Sequence, residues 1–277
     1  MAGQSISDRA WESFTIDEVM SEFPLPEFVW PKSLFGYDKT LPSPSENLAL
    51  DEALLGDVEA DPNKACLRFW EPQEYFVVLG RSNRAETEVN RDVCAREGVR
   101  ILRRASGGGT VLIGPGCLCY SLALPLTNSH RALGVSSVTK LLMERSAVSL
   151  REKLAGVEVC GTSDLVWNGR KFSGNAQRWL KRSFLHQGTL LYDFDVSKLS
   201  RCLAAPTRQP DYRLGRSHQD FVVNIPLSSA LLREILCSTW HAELADCSAA
   251  ILDETVRIRD LRYTSTDWQH GSLVPAP

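Results

Sequence analysis

Arg103-Arg104-Ala105-Ser106-Gly107-Gly108-Gly109-Thr110-Val111 joins two cations to three consecutive glycines, at the end of an apolar run that includes Val99, Ile101 and Leu102. Glycine has no Cβ, so its backbone N–H groups can press against an anion or a thin ligand. Adjacent arginines supply forked donors suited to phosphate or carboxylate. The stretch fits neither G-x-x-x-x-G-K-[ST] nor G-x-G-x-x-G, so it indicates neither a P-loop nor a dinucleotide fold. Taken alone it also reads as a tight turn with solvated arginines, because glycine most often marks a turn.

A second stretch, Asp164-Leu165-Val166-Trp167-Asn168-Gly169-Arg170-Lys171-Phe172-Ser173-Gly174-Asn175-Ala176-Gln177-Arg178, shifts that balance. It reads as a hairpin with Asn168-Gly169 as a type I′ turn. Strand alternation predicts that Lys171 and Ser173 share one face, just before another glycine. Leu185-His186-Gln187-Gly188-Thr189-Leu190-Leu191 follows as a further strand.

Together these stretches resemble the lipoate-protein ligase and octanoyltransferase family, the branch of the biotin and lipoate ligase superfamily that attaches lipoyl or octanoyl groups to a protein lysine. The resemblance runs from about Asn47 to Pro226. Asn47 to Glu52 resembles the family's N-terminal helix, Val77-Val78-Leu79-Gly80-Arg81 its strand ending in G-R, and Arg103 to Val111 its R-R-x-S-G-G-G ligand loop. Lys171 falls on the family's active-site lysine in G-R-K-x-S-G-x-A-x-R, and His186, Gly188 and Thr189 fall on its H-x-G-[ST] strand. The G-R-G-R-x-G-R loop of the biotin branch does not occur.

The resemblance implies Lys171 as the catalytic residue. It implies substrate-binding roles for Arg103, Arg104, Gly107, Gly108, Gly109, Thr110 and Val111, for Ser173, Gly174, Asn175 and Ala176, and for His186 and Gly188. His186 reads equally as a hydrogen-bonded structural group inside a sheet. No residue is assigned to a metal: Cys117-x-Cys119 lacks a companion pair at zinc spacing. The implied co-substrates are ATP and Mg2+, the ion held largely by the phosphates, with no permanent prosthetic group. The implied partners are lipoate or octanoate and the lipoyl carrier domain of a 2-oxoacid dehydrogenase or the glycine cleavage H protein.

A carboxylate is unreactive toward an amine until it is activated, and joining it to AMP creates a leaving group. Negative charge must then be stabilised at the α-phosphate and at the tetrahedral acyl centre. Lys171 suits that task as a compact charge, with Arg103 and Arg104 on the phosphate side. The Leu118 to Leu124 strand, with Leu165 and Leu190, offers an apolar slot for the acyl tail.

Composition sets outer limits. At 277 residues and 43% hydrophobic, the chain can bury one full core. Net charge −3 argues against a nucleic-acid scaffold. Arg170, Lys171, Arg178, Lys181 and Arg182 crowd one hairpin, with Arg201, Arg208, Arg213 and Arg216 beyond; they read as a solvated face or as a docking surface for an acidic partner. Eight cysteines without a C-x-x-C pair, and no secretory or transit pattern, lead to the expectation of reduced thiols in the cytoplasm. No window approaches the ~18 apolar residues of a membrane span.

The expected organisation is an N-terminal extension over 1–42, a catalytic domain over 43–265 and a C-terminal tail over 266–277. Ser43-Pro44-Ser45-Glu46 opens the first firm helix with a capping box and proline at N1. Further helices are expected near Glu86 to Glu97, Val138 to Leu154, Val196 to Leu203 and Ser229 to Leu244. Strands are expected at Cys66 to Trp70, Tyr75 to Leu79, Val99 to Arg103, Thr110 to Ile113 and Leu118 to Leu124, with Gly114-Pro115-Gly116 turning the last two into a hairpin. The pattern predicts an α+β fold, a mixed β-sheet with helices packed mainly on one side; the resemblance makes this the class II synthetase-like biotin/lipoate ligase catalytic domain.

Two features depart from the family's longer ligases. Ile113-Gly114-Pro115-Gly116-Cys117 stands where they carry H-D-x-G-N. About 50 residues follow Pro226, fewer than their accessory C-terminal domain needs. Three readings follow: a separate subunit supports activation, the small form suffices, or the protein transfers an acyl group through a cysteine thioester without ATP. For that last reading Cys117, Cys119 and Cys160 are the nearest thiols in sequence.

Overall fold

The computed structural model describes residues 30–204 and 209–270. The sequence expectations for 1–29, 205–208 and 271–277 lie outside the described residues. In chain order the elements are β1 (Leu34–Asp38), α1 (Pro44–Ala60), β2 (Cys66–Trp70), β3 (Phe76–Leu79), α2 (Ala85–Glu88), α3 (Arg91–Arg96), β4 (Arg100–Arg103), β5 (Val111–Ile113), β6 (Cys117–Pro125) and α4 (Asn128–Arg151). They continue with β7 (Val157–Cys160), β8 (Asp164–Trp167), β9 (Arg170–Trp179), β10 (Ser183–Leu191), α5 (Ser197–Cys202), α6 (His218–Phe221), α7 (Ser229–Trp240), β11 (Ala242–Leu244), α8 (Ala249–Ile258) and α9 (Thr266–His270).

The fold is α+β. An eight-stranded mixed sheet has the order β11-β1-β2-β6-β10-β9-β8-β7, and a separate three-stranded sheet has the order β4-β3-β5. Strand β1 runs parallel to both neighbours, and the remaining pairs of the large sheet are antiparallel.

Helix α1 begins as its sequence dictates: Glu46 N–H donates to Ser43 Oγ at 3.2 Å, and Ser43 N–H donates to Glu46 Oε2 at 2.9 Å. The helix lies against the sheet face that bears Leu185 and Gln187, since Asp51 accepts from Gln187 and Ser121. Helix α4 starts on the opposite face, where His130 stacks edge-on at 5.2 Å against Phe184. Both faces of the large sheet therefore carry a helix.

Five expectations are corrected. Residues 34–38, within the stretch read as an extension, form a strand pairing with β2 from Phe35 to Asp38; the prolines on either side mask a strand of five residues. The expected helix from Glu86 to Glu97 is two short helices. Val89 pairs with Leu203 and Asn90 N–H donates to Cys202 O at 2.8 Å, so a contact with the α5 region interrupts the helical ladder. Gly114-Pro115-Gly116 is no hairpin turn. Strand β5 pairs with β3 in the small sheet, and β6 pairs with β2 and β10 in the large one, so the segment crosses between sheets. Gly116 is required there: at φ +82° a Cβ would lie 1.9 Å from Asp193 O.

Helix α7 also ends before Leu244. His241 adopts a left-handed conformation at φ 50° and turns the chain into β11. Residues 266–270, expected as tail, form a helix whose Trp268 Nε1 donates to Arg103 O at 2.9 Å.

Candidate active site

The β8–β9 hairpin turns at Asn168 and Gly169, with φ of 52° and 69°, the paired positive values that a type I′ turn demands. Its register then slips. Leu165 faces Ser173, but Val166 faces Lys171, so Phe172 is an extra residue in a bulge. Phe172 enters the core with none of its surface exposed. The expectation that Lys171 and Ser173 share a face is thereby corrected. Ser173 is buried and accepts from Asn175 Nδ2 at 3.0 Å, whereas the Lys171 ammonium sits beside Gly174, 3.0 Å from where a Cβ on that glycine would lie.

Lys171 Nζ lies 2.7 Å from Asp164 Oδ1, and its side chain keeps 28% of its surface exposed, so a solute can reach it. The other Asp164 oxygen accepts from Tyr212 at 2.7 Å. Burial and the neighbouring carboxylate push the Tyr212 phenol well above its ordinary range, so it stays a donor.

The glycine loop approaches the same strand. Gly108 sits at φ +85°, which disfavours any side chain, and in a tight space: a Cβ would lie 3.0 Å from Arg104 Nη2 and 3.2 Å from Ala176 Cβ. Gly107 and Gly109 face open space. At about 3.3 Å per residue, Ala176 lies about 7 Å along β9 from Gly174, on the same face. The glycine loop and the lysine therefore converge on one short stretch of β9.

The two loop arginines do not face that space. Arg103, buried, donates to the carbonyls of Gly80, Arg81, Asn83, Trp268 and Gln269. Arg104, also buried, donates to Val78 O, Gly107 O, Gly109 O and Ser106 Oγ. Burial lowers the Arg104 pKa to about 10, which leaves it charged near neutrality. These guanidiniums, expected on the phosphate side, form the framework under the loop. Thr110 Oγ1 donates to Glu88, which also accepts from Asn83, and Val111 pairs with Val78 in the small sheet.

His186 is buried, and burial pushes its pKa down to about 3, so it is neutral. Its ring nitrogens lie 3.3 Å from Gln177 Nε2 and 3.3 Å from Tyr120 Oη, and Tyr120 donates to Asn175 Oδ1 at 2.6 Å. With Gln177 donating to Nδ1, the tautomer consistent with this chain carries its proton on Nε2. Gly188 leaves space for the arrangement, since a Cβ there would lie 1.9 Å from Asn175 Oδ1 and 2.4 Å from the Tyr120 ring. His186 and Gly188 therefore act on Asn175 from behind the strand.

Asp164, Tyr212, Gln177 and Gln187 were not assigned roles from sequence. Asp164 had no clear signal: a regular register across the I′ turn would set it opposite Ser173, and only the Phe172 bulge brings it opposite Gly174, on the face of Lys171. Tyr212 had none, because it arrives from a distant loop. Much of the basic run is half-buried and bonded within the fold. Arg170 donates to the carbonyls of Gln219, Asp220 and Val222, Arg216 to that of Gly169, and Arg178 pairs with Glu52 at 2.5 Å. Lys181 and Arg182 remain exposed.

Cys117 and Cys119 are buried and Cys160 is half-buried. Burial raises the Cys119 and Cys160 thiols above their ordinary range, with Glu158 and Asp164 adding to the effect at Cys160. Among the described residues no group of three or more His, Cys, Asp or Glu is placed to hold a metal ion, and no helix is long and apolar enough to cross a membrane.

The sequence model of the lipoyl protein ligase A/B catalytic domain matches residues 43–235. The chain is 27% identical over 237 residues to a "Probable lipoate-protein ligase A" of Mycoplasma pneumoniae, covering 82% of this chain and 68% of that one. It is 28% identical over 185 residues to the octanoyltransferase LipM of an Exiguobacterium, covering 58% of this chain and 67% of that one. It spans about half the length of two further lipoate-protein ligases A that it matches. One chain of the bi-partite lipoate protein ligase from Thermoplasma acidophilum superposes with a TM-score of 0.74 at 22% identity, covering 88% of this chain and 98% of that one, which shows the fold.

Proposed function

The chain belongs to the lipoyl protein ligase A/B catalytic-domain family, and on that premise we propose that it joins lipoate or octanoate to AMP, using ATP with Mg2+ carried on the phosphates, and then passes the acyl group to a lysine of a lipoyl carrier domain, of a 2-oxoacid dehydrogenase or of the glycine cleavage H protein. In the first step a carboxylate oxygen of the fatty acid attacks the α-phosphorus and pyrophosphate leaves. In the second the acceptor amine attacks the acyl carbonyl, AMP leaves and the amine loses a proton. Both steps build negative charge within a few ångströms of the acyl–phosphate junction.

The observation that carries this reading is the convergence of Lys171 and the glycine loop on residues 174–176 of β9. An ammonium beside a bare strand position can approach the developing charge, and the side-chain-free positions of Gly107 and Gly109 border open space where an adenylate would lie, while the Gly107 N–H is held by Gln177 O at 3.4 Å. Arg104, held to the carbonyls of that loop, fixes its shape before the ligand arrives.

The octanoyltransferase relative favours a second reading, thioester transfer without ATP. That mechanism needs an accessible thiolate of depressed pKa. The Cys160 thiol is displaced the other way, first by burial and then by neighbouring carboxylates such as Glu158 and Asp164. Incubation with an apo lipoyl domain and octanoate or lipoate, with and without ATP, followed by intact mass of the acceptor, separates the two. Acylation from the free acid that requires ATP is expected; acylation only from octanoyl carrier protein would establish the second reading.

A further inference from the structure

Tyr212 belongs to no strand of the large sheet, yet it is fixed on every side. Its turn, Asp211–Arg213, lies in the segment bolted to the lysine hairpin by Arg216, which donates to Gly169 O at 3.0 Å and to Tyr212 O at 2.7 Å. The Tyr212 ring packs against Phe221 at 5.2 Å, and Arg213 and Arg216 lie over the same Phe221 ring at 4.8 and 5.3 Å. Gly161, at φ +58°, leaves room for the ring edge, since a Cβ there would already be 3.3 Å from Tyr212 Cε1.

So much fixing delivers one polar atom, the phenolic oxygen, to Asp164 Oδ2, while Asp164 Oδ1 holds Lys171. A carboxylate with one oxygen engaged by a donor has a fixed orientation, and less of its charge remains to grip a cation on the other oxygen. We propose that Tyr212 is a positioning residue for Lys171: through Asp164 it fixes the seat of the ammonium and limits how tightly the carboxylate holds it, leaving more of its charge for the substrate. This inference rests on the proposed role of Lys171 in acyl activation, although the contact it invokes can be tested without that activity.

The titratable groups around the ammonium are Asp164 on β8, Tyr212 in the Asp211–Arg213 turn and His218 on α6, with Cys160 at the end of β7 near the Asp164 carboxylate. Burial, then Arg213 and Lys171, hold the His218 pKa below its ordinary value, so His218 is neutral across the pH range of the experiment below.

The experiment is competitive acetylation of the folded full-length protein with acetic anhydride across pH 7 to about 10.5, near the range in which lysine titrates. Peptide mass reads Lys171 against the exposed Lys153. The variants are Tyr212→Phe, Asp164→Asn and the double variant, each checked for its melting temperature. Tyr212→Phe is expected to strengthen the grip of Asp164 and raise the Lys171 labelling midpoint by about half a pH unit, a threefold change. In the Asp164→Asn background the same substitution should change it by less than about 1.5-fold, because its intermediary is gone. Site-specific 3-fluorotyrosine at 212, a stronger donor of nearly the same shape, should move the midpoint the other way and serves even where the Phe variant folds poorly. No movement in the fluorotyrosine protein, or equal shifts with and without the Asp164 carboxylate, would overturn the proposal. In the ligation assay Tyr212→Phe should lower kcat about fivefold with KM for lipoate unchanged. A wild type that labels as expected but shows no ATP-dependent acylation would sink the ligase reading while leaving the Tyr212–Asp164–Lys171 linkage standing.

Discussion

Replacing Lys171 by methionine keeps the length of the side chain and removes its charge. In the folded protein this breaks one contact, the 2.7 Å pair with Asp164. The lysine side chain is 28% exposed, so solvent screens the pair, and Asp164 retains the Tyr212 hydroxyl. The stability cost should be about 1 kcal/mol, the upper end for a partly exposed pair and the scale of one hydrogen bond. Catalysis should suffer much more. A preorganised cation or donor aimed at developing charge is worth a factor of ~10²–10³, about 3 to 4 kcal/mol. Lys171→Arg should recover little, because a planar guanidinium spreads its charge over a rigid fork and cannot present the compact point charge that the ammonium places beside Gly174. The assay is intact mass of an apo lipoyl domain after incubation with ATP and lipoate, with thermal unfolding of each variant. Near wild-type turnover in the Met variant would refute the reasoning. So would a large drop in melting temperature, which would make Lys171 a structural residue.

Gly108→Val should weaken binding of a non-hydrolysable acyl-adenylate at least about tenfold by calorimetry, because φ +85° and the 3.0 Å approach to Arg104 exclude a branched side chain; Arg182→Ala, on the exposed side, should leave affinity unchanged, and equal affinities would return the loop to a simple turn. The triple variant Cys117→Ser, Cys119→Ser, Cys160→Ser should still transfer the acyl group from pre-formed lipoyl-adenylate, and a covalent octanoyl-enzyme seen by mass in the wild type would reverse the choice between readings. Stability should fall as pH drops below about 6.5: an unfolded histidine binds a proton there, while buried His186, with its pKa lowered to about 3, does not. At pH 5 that one group withdraws about 2 kcal/mol, and chemical denaturation of His186→Gln should show a shallower acid slope; an unchanged slope would mean that His186 is protonated in the folded protein.

The features legible in sequence are those fixed locally. Ser43 and Glu46 cap α1 because three residues suffice for the box, and Asn168-Gly169 makes its turn because two residues with positive φ suffice. The register beyond that turn needed the core to be known: Phe172 bulges inward because an apolar site receives it, and nothing in Lys171-Phe172-Ser173 signals that. The segment between β5 and β6 failed for a related reason. Two apolar strands around Gly-Pro-Gly look the same whether they pair with each other or part into different sheets, and the decision lies in Tyr75 and Asp193, which close over Gly114 and Gly116. Arg103 and Arg104 misled through chemistry, because the fork that fits a phosphate fits converging carbonyls equally well.

The burial of the two arginines places the preorganisation of this loop beneath it. From Arg104 a line of buried polar contacts runs through Ser106 Oγ to Gln187 at 2.8 Å, from Gln187 to Asp51 at 2.8 Å, and from Asp51 to Ser121 and the fully buried Arg68. Arg68 in turn donates to the carbonyls of Lys39 and Asn47, near the start of α1. Breaking such a chain strands a buried charge, which costs more than the pair contributes when intact, so each link holds its neighbours to one geometry. The glycine loop, free of side chains where a ligand would lie, thereby takes its shape from the first long helix of the domain. The two buried arginines supply rigidity from beneath, and on the proposed reading Lys171 brings the accessible charge, a division that would let a loop of three glycines be open to a ligand and still ordered.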